Sequence, residues 1–278
     1  YKDGTIGGSE FQRSIYGLAT GLRTDLGEFS LDWRRHNTGF SGNPPFGMDI
    51  RFVDTDVVRA GYEKGFGDIL IEASASYTDA AHGMNTYDLR PAMMRREALA
   101  YAITRKADIS ATFPAFGGRL QLGADTAEED HNIHVVEPEN LDNYVYSLPD
   151  IVIDRYGAFA EWTGTLGAFN AELGLRVDEY DGKGGTATFG EDASMGQKML
   201  AASYNASDRS ADATTADAAA RLWRPITDDL TWRVTLARKS RAPFYLEWFQ
   251  WLPSGSSAGL ADGNIYLGDP SLDPEVAL

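Results

Sequence analysis

Apolar and polar side chains alternate in five stretches of the chain. Successive side chains of a strand point to opposite faces, so each stretch predicts a strand with one apolar and one polar face. All five are longer than the five or six residues of an ordinary globular strand, and two of them reach about 10 to 12 residues. The stretches lie at residues 29–35, 69–78, 156–162, 167–178 and 230–236.

The connections between the predicted strands fall into two classes that alternate along the chain. The short ones, rich in Gly, Pro or Asp, are Thr24–Gly27, Gly65–Gly67, Ala115–Gly118, Gly164–Thr165 and Pro225–Asp229. The long ones are His36–Gly47, Ala80–Met94, Glu128–Asp150, Asp181–Ala213 and Arg241 to the end. Tight turns at one mouth and long loops at the other are typical of a transmembrane β-barrel.

The chemistry of the two faces favours the same architecture. The polar faces suit a wet interior, and the apolar faces carry aromatic residues suited to membrane interfaces, among them Trp33, Tyr77, Tyr156, Trp162 and Trp232. We predict an all-β, antiparallel transmembrane barrel portion of about ten strands, ending in a loop from which no strand returns. The alternative is a water-soluble protein of two packed sheets.

Composition narrows the function. The 278 residues carry 25 Lys and Arg against 41 Asp and Glu, a formal net charge of −16, which disfavours nucleic acid as a partner. With no cysteine there is no disulfide and no thiol nucleophile. The sequence has no His-Glu-x-x-His helix and no phosphate loop, and we predict that it is not an enzyme and needs no organic cofactor.

Two spaced motifs near the end resemble those of TonB-dependent outer-membrane receptors. They are Ser240-Arg241-Ala242-Pro243 followed by Glu247, and Gly268-Asp269-Pro270-Ser271-Leu272-Asp273-Pro274-Glu275. In that family an Arg-Ala-Pro segment and a Gly-Asn-Pro-x-Leu-x-Pro-Glu segment flank one long loop. Asp269 replaces the commoner asparagine.

Further segments resemble the copper-receptor branch of that family. They are Met48-Asp49-Ile50, Asp54-Thr55-Asp56, His82-Gly83-Met84-Asn85, Leu89-Arg90, Leu222-Trp223-Arg224-Pro225, Trp251-Leu252-Pro253 and Gly259-Leu260-Ala261-Asp262-Gly263. The resemblance implies a 22-stranded barrel around an N-terminal plug. Residues 1–278 would then be a partial barrel, without the plug and the closing strands. It also implies the bacterial outer membrane, with its lipids and lipopolysaccharide, and TonB as a partner acting through the plug.

His82 and Met84 are the leading candidate metal ligands. Imidazole and thioether form a soft pair that suits Cu(I), and the spacing of two residues places both on one side of an extended segment. In the copper branch a His-x-Met pair supplies the barrel half of the site, and the plug supplies the remaining soft ligands. Copper would be the transported ion.

Four other residues are weaker candidates. Met93 and Met94 follow the pair closely, and exposed methionines either pass a soft ion inward or cover an apolar patch. His131 and His134, beside acidic residues, would offer harder ligands for Zn²⁺ or Cu²⁺, although two such histidines are commonly just solvated.

Two other kinds of transport protein share this architecture. A receptor for an iron siderophore or another chelate would use aromatic residues such as Tyr144, Tyr146 and Trp248 to grip its ligand. A passive porin would admit small solutes by size and charge. The His-x-Met neighbourhood and the acidic long connections favour copper, because a negative mouth concentrates cations.

Overall fold

The computed structural model describes residues 9–43, 47–89, 95–253 and 266–278. The strands are β1 Phe11–Thr24, β2 Gly27–Ser41, β3 Asp49–Phe66, β4 Ile69–Asn85, β5 Glu97–Ala115, β6 Gly118–Glu137, β7 Asn140–Leu166, β8 Phe169–Lys183, β9 Ser210–Thr227, β10 Leu230–Arg241 and β11 Glu275–Ala277. The helices are α1 Met195–Ala206 and α2 Tyr245–Phe249. Among the described residues, no helix is both long and apolar enough to cross a membrane.

All described strands form one sheet in which each pairs, antiparallel, with its neighbours in sequence. Two-residue turns at residues 25–26, 67–68, 116–117, 167–168 and 228–229 join alternate pairs at one end. The all-β, antiparallel prediction is confirmed, and the sheet of this chain is open rather than closed. Such a meander is the topology of a transmembrane barrel wall.

Three details of the prediction are wrong. The long strands run from 12 to 27 residues, β10 and β7 being the extremes, and so continue well into the segments expected to be loops. The expected Glu128–Asp150 connection is mostly the upper half of the β6–β7 hairpin, whose turn has two residues. A short strand does return near the end, because β11 pairs with β10 between Lys239 and Arg241.

We define the lower sheet as the half nearest the two-residue turns. Its outer face, the face that carries Leu175 and Leu236, is apolar and exposed. Leu175 and Leu236 are 63% and 71% exposed there, which is what lipid contact requires of a barrel wall. The apolar band on β4 runs from Ile69 to Tyr77, about the nine residues needed to cross the hydrocarbon core. The membrane-spanning segments therefore end near the level of Tyr77.

The inner face of the lower sheet carries charges that neutralise one another. Arg176 donates to Asp125 at 2.8 Å and to Asp178 at 2.8 Å, and Arg155 donates to Asp178 at 3.2 Å. These four residues come from three neighbouring strands, β6, β7 and β8. Paired charges of this kind fit a wet or protein-filled interior and not lipid.

Above the level of Tyr77 the alternation of polar and apolar faces inverts. On β6 the outward side chains change from Leu120 and Leu122 below to Glu128 and Asp130 above, while Ile133 now points inward. The upper outer face meets water, whereas the upper inner face packs against folded segments of the chain. This inversion breaks the sequence pattern in mid-strand, which is why the upper strands look like loops in the sequence.

The upper inner face holds the only two buried apolar clusters that the described residues form. In one, Trp248 and Phe249 of α2 pack on β7 and β9. In the other, α1 and Trp251 pack on Val145 of β7. Trp251 also donates from Nε1 to the Tyr146 carbonyl at 2.8 Å, so the last long segment is folded back into the barrel mouth.

Candidate metal site on the inner barrel wall

His82, Gly83 and Met84 lie in the upper part of β4, three to one residues before its end at Asn85. The expectation of a loop at this position is wrong, because β4 stays paired with β3 and β5 through Asn85. The pair is therefore held by ladder hydrogen bonds on both sides. Its side-chain directions follow from strand geometry.

His82 and Met84 both point to the inner face. On β4 they lie an even number of residues from Glu72 and Ser74, which point inward, and an odd number from Tyr77, which points outward. The spacing prediction is met: both side chains lie on one face, one rung apart. The four residues opposite them on β3 and β5 are aliphatic, namely Val53, Ala100, Ile50 and Ala98.

This aliphatic setting keeps the imidazole neutral. His82 lies above the membrane-spanning part of β4, and burial lowers the pKa of its imidazole below the ordinary value of about 6.5. Its Nε2 is buried and has no hydrogen-bond partner among the residues that the structure describes. A neutral imidazole and a thioether side by side, with no hard oxygen ligand opposite either, form a soft ligand pair for an ion such as Cu(I).

Asn85 fixes the upper end of β4. Its side chain is buried, its Nδ2 donates to Asp88 at 2.5 Å, and its Oδ1 accepts from the backbone of Asp88 at 3.0 Å. Thr86 then pairs with Arg96 across the following connection, through a backbone bond of 3.1 Å. The inward side chains near the end of β4 are thus the candidate ligands, and the outward side chain of Asn85 holds the strand end in place.

The structure does not bring His131 and His134 together. On β6, His131 lies opposite Ala102 on the inner face, whereas His134 lies opposite Leu99 on the outer face. Residues three apart on a regular strand necessarily point to opposite sides. A shared site of these two histidines would require β6 to lose its pairing.

Each histidine has its own ring partner. The His131 ring stacks on Tyr245 of α2 at 4.0 Å between centroids, and its Nε2 lies 3.6 Å from Glu129, beyond hydrogen-bond distance. The His134 ring stacks on Tyr146 at 4.8 Å, and burial lowers the pKa of its imidazole. These contacts indicate structural roles for both.

Several of the remaining candidate residues fall in segments that the structure does not describe. Met93, Met94 and Arg90 lie outside the described residues, as does the segment 259–263. Within the described ranges there is no group of three or more His, Asp and Glu side chains that could hold a metal ion. The wall seen here therefore offers a soft pair and no complete oxygen- or nitrogen-rich site.

The two motifs near the end of the chain meet at Arg241. Its guanidinium donates to both carboxylate oxygens of Glu247, at 2.7 and 3.0 Å, and reaches Glu275 at 3.1 Å. These hydrogen bonds lower the pKa of Glu247, which lies outside the membrane-spanning segments. Gly268 packs so closely on the backbone of α2 that a Cβ there would lie within 3 Å of Trp248 and Phe249 backbone atoms.

The sequence of these strands matches a known protein family. The sequence matches the family model "TonB dependent receptor-like, beta-barrel" over residues 1–278. The chain therefore belongs to the TonB-dependent receptor β-barrel family.

The fold is similar to that of a solved structure, "Copper transporter OprC", with a TM-score of 0.72 and 20% sequence identity. The match covers 89% of this chain and 39% of that one, so the present chain spans about two fifths of that transporter. At this identity the likeness is one of fold. No curated protein sequence matches the chain.

Sequence reasoning missed two residues of β3 next to the candidate ligands. Phe52 pairs with Gly83 on the outer face, and Arg51 precedes it, in the part of the wall where the alternation of faces is inverted. Phe52, Asp54 and Asp56 alternate along β3 and share its outer face. An apolar ring next to two acidic side chains on one face is the signal that could have identified a residue packed over Gly83.

Proposed function

We propose that this chain is part of the barrel wall of a bacterial outer-membrane receptor that imports copper as Cu(I), driven by TonB. His82 and Met84 are the wall's contribution to the binding site. Membership of the TonB-dependent receptor family supports the mode of transport. The exposed apolar band supports contact with outer-membrane lipid and lipopolysaccharide.

One observation carries the choice of ion. A neutral imidazole nitrogen, which has no hydrogen-bond partner among the described residues, and a thioether point inward from one strand, and the residues opposite them on β3 and β5 are aliphatic. Hard ions such as Mg²⁺ or Ca²⁺ seek several oxygen ligands, and the four side chains opposite the pair supply none. The fold likeness to a copper transporter agrees with this choice.

The proposed site is incomplete on this wall. Two protein ligands leave the usual coordination of a tightly bound ion unfilled, and the residues opposite the pair supply no further donor. Additional soft ligands would come from the plug that members of this family carry inside the barrel. Through the same plug the receptor would meet TonB.

The full-length receptor with His82→Ala or Met84→Ala tests the proposal. Competition with a Cu(I) chelator should show affinity falling about 100-fold or more in either variant, because each loses a direct ligand. His134→Ala and Met199→Ala are matched controls: His134 stacks on the outer face and Met199 is 68% exposed on α1. Neither control should change the affinity.

The same measurement separates the alternatives. A siderophore receptor would bind a ferric chelate with an affinity that is insensitive to both substitutions, and a passive porin would bind neither metal. Unchanged Cu(I) affinity in both His82→Ala and Met84→Ala receptors would refute the proposal. Metal analysis of the purified receptor identifies the bound element independently.

A further inference from the structure

β3 contains one extra residue opposite the His82–Met84 segment. Ile50 pairs with Met84 and Phe52 pairs with Gly83, so Arg51 stands between them with no residue of β4 opposite it. A one-residue bulge of this kind locally re-aims side chains and is common next to functional sites. The surrounding β3–β4 ladder is regular from Phe52 down to Phe66.

The bulge changes which side chain stands beside Met84. In a regular ladder with Phe52 opposite Gly83, Arg51 would fall opposite Met84 on the inner face. Instead Ile50 takes that place, and Arg51 donates to Glu97 of β5, which pairs with the outward Asn85. A guanidinium is thereby moved from the ligand side of the sheet to its outer side, where the greater distance and the Glu97 carboxylate weaken its repulsion of a bound cation.

Phe52 fixes the register at this point. Its ring covers the outer side of Gly83, and a Cβ at position 83 would lie within 3 Å of three ring atoms. Real Cβ atoms essentially never come this close, so only glycine fits beneath the ring. Gly83 is the residue between the two candidate ligands, and the ring presses on the strand from the side opposite to them.

We infer that the bulge at Arg51, locked by Phe52 packed on Gly83, is a positioning device for the soft ligand pair. It sets the orientation of His82 and Met84 and keeps the wall beside them uncharged. Phe52, Gly83 and Arg51 touch no metal; they act through the strand that holds the ligands. This inference rests on the copper-binding role proposed for that pair.

Gly83→Ala in the full-length receptor tests the device. The added methyl group must displace the Phe52 ring or β4, so the Cu(I) affinity should fall about 10- to 100-fold, the range typical of groups that orient ligands. X-ray absorption at the copper edge should show a weaker sulfur contribution, which a general loss of stability would not produce in the folded, metal-loaded fraction.

The chain offers a matched control in Gly123→Ala. Gly123 of β6 lies directly opposite Phe159 of β7, and a Cβ there would also come within 3 Å of two atoms of the ring. The two substitutions therefore create the same clash, but only the first is next to the candidate ligands. Gly123→Ala should leave the Cu(I) affinity and the absorption spectrum unchanged.

A second variant keeps the test valid if Gly83→Ala fails to insert into the membrane. Phe52→Ala removes the ring without adding a clash and should itself weaken Cu(I) binding several-fold. Combined with Gly83→Ala, it should bring the affinity back to that of Phe52→Ala alone, because the space for the methyl group is restored.

The outcomes are distinguishable. Loss of affinity in Gly83→Ala and in Phe52→Ala, with an unaffected Gly123→Ala, supports the device. Equal effects of the two glycine substitutions, or wild-type affinity in Phe52→Ala, overturn it while leaving the copper proposal intact. Wild-type affinity in His82→Ala and Met84→Ala overturns both.

Discussion

The barrel wall carries two pairs of potential metal ligands that resemble each other in sequence and differ in space. His82 and Met84, two residues apart on β4, share the inner face. His131 and His134, three residues apart on β6, point to opposite faces and stack on Tyr245 and Tyr146. On a strand, whether the spacing is even or odd decides if two ligands can meet, and the residue types come second.

The two pairs also differ in what surrounds them. Aliphatic residues stand opposite His82, and its Nε2 has no hydrogen-bond partner in the described part of the chain. The Nε2 of His131 is likewise buried without a hydrogen-bond partner there, but the Glu129 carboxylate lies 3.6 Å away and an aromatic ring covers the imidazole face. A soft ion suits the first setting, whereas the second ties α2 to the barrel wall.

Changing the spacing within the first pair should have the largest effect. One glycine inserted after Gly83 turns Met84 to the outer face, because a shift of one residue exchanges the faces of a strand. Cu(I) affinity of the full-length receptor should fall at least about 100-fold in a chelator competition. Insertion of two glycines returns Met84 to the inner face and should recover much of the binding; equal losses in the two variants would contradict the parity argument.

Giving the second pair an even spacing should create a site. Ile133→His places a histidine on the inner face of β6, in line with His131 and Glu129. Two histidines two residues apart on one face offer a pair of typical Zn²⁺ ligands, and the variant should bind zinc more tightly than the wild-type receptor does. Calorimetry checks this, with His131→Ala in the variant as the control that removes the new site. Zinc binding that survives this control would argue against the assignment.

The smallest effect concerns pH. Burial lowers the pKa of His82, so protons compete with copper only at a lower pH than for an exposed histidine. A histidine with an ordinary pKa of about 6.5 would lose roughly fourfold in affinity between pH 7.5 and pH 6. The wild-type receptor should lose less than this over the same range, measured by chelator competition. A fourfold or greater loss would show that the imidazole is not shielded.

Much of the fold was predictable because lipid imposes a simple rule. Along residues 69–77 every second side chain must be apolar where it meets the hydrocarbon, and the opposite face is polar, so the strand and its faces follow from period two. The turns near residues 67–68 and 116–117 follow from their glycines, Gly67 and Gly117, which adopt positive φ.

The upper wall was harder to predict, because two environments exchange sides there. Above Tyr77 the outer face meets water and becomes acidic, as at Asp54 and Asp56, while the inner face becomes aliphatic, as at Val53. The inversion hides the strand from a pattern search. The candidate ligands were found all the same, since their spacing and chemistry do not depend on whether the segment is a strand or an extended loop.

The bulge could not be read from the sequence. Nothing in Ile50-Arg51-Phe52 by itself says that the arginine is the extra residue. That assignment depends on Phe52 meeting a glycine on the neighbouring strand and on Glu97 of a third strand accepting from Arg51. Both contacts are between residues more than thirty positions apart.

The contacts of Arg241 link the two ends of the last long segment. Arg241 pairs with Glu247, near the start of the segment, and with Glu275, at its end. In addition, the Gly268 amide donates to the Gln250 carbonyl at 2.7 Å. Both ends of the segment are thus held against β10 and α2. A single substitution at Arg241 therefore removes a contact from each end of the segment at once.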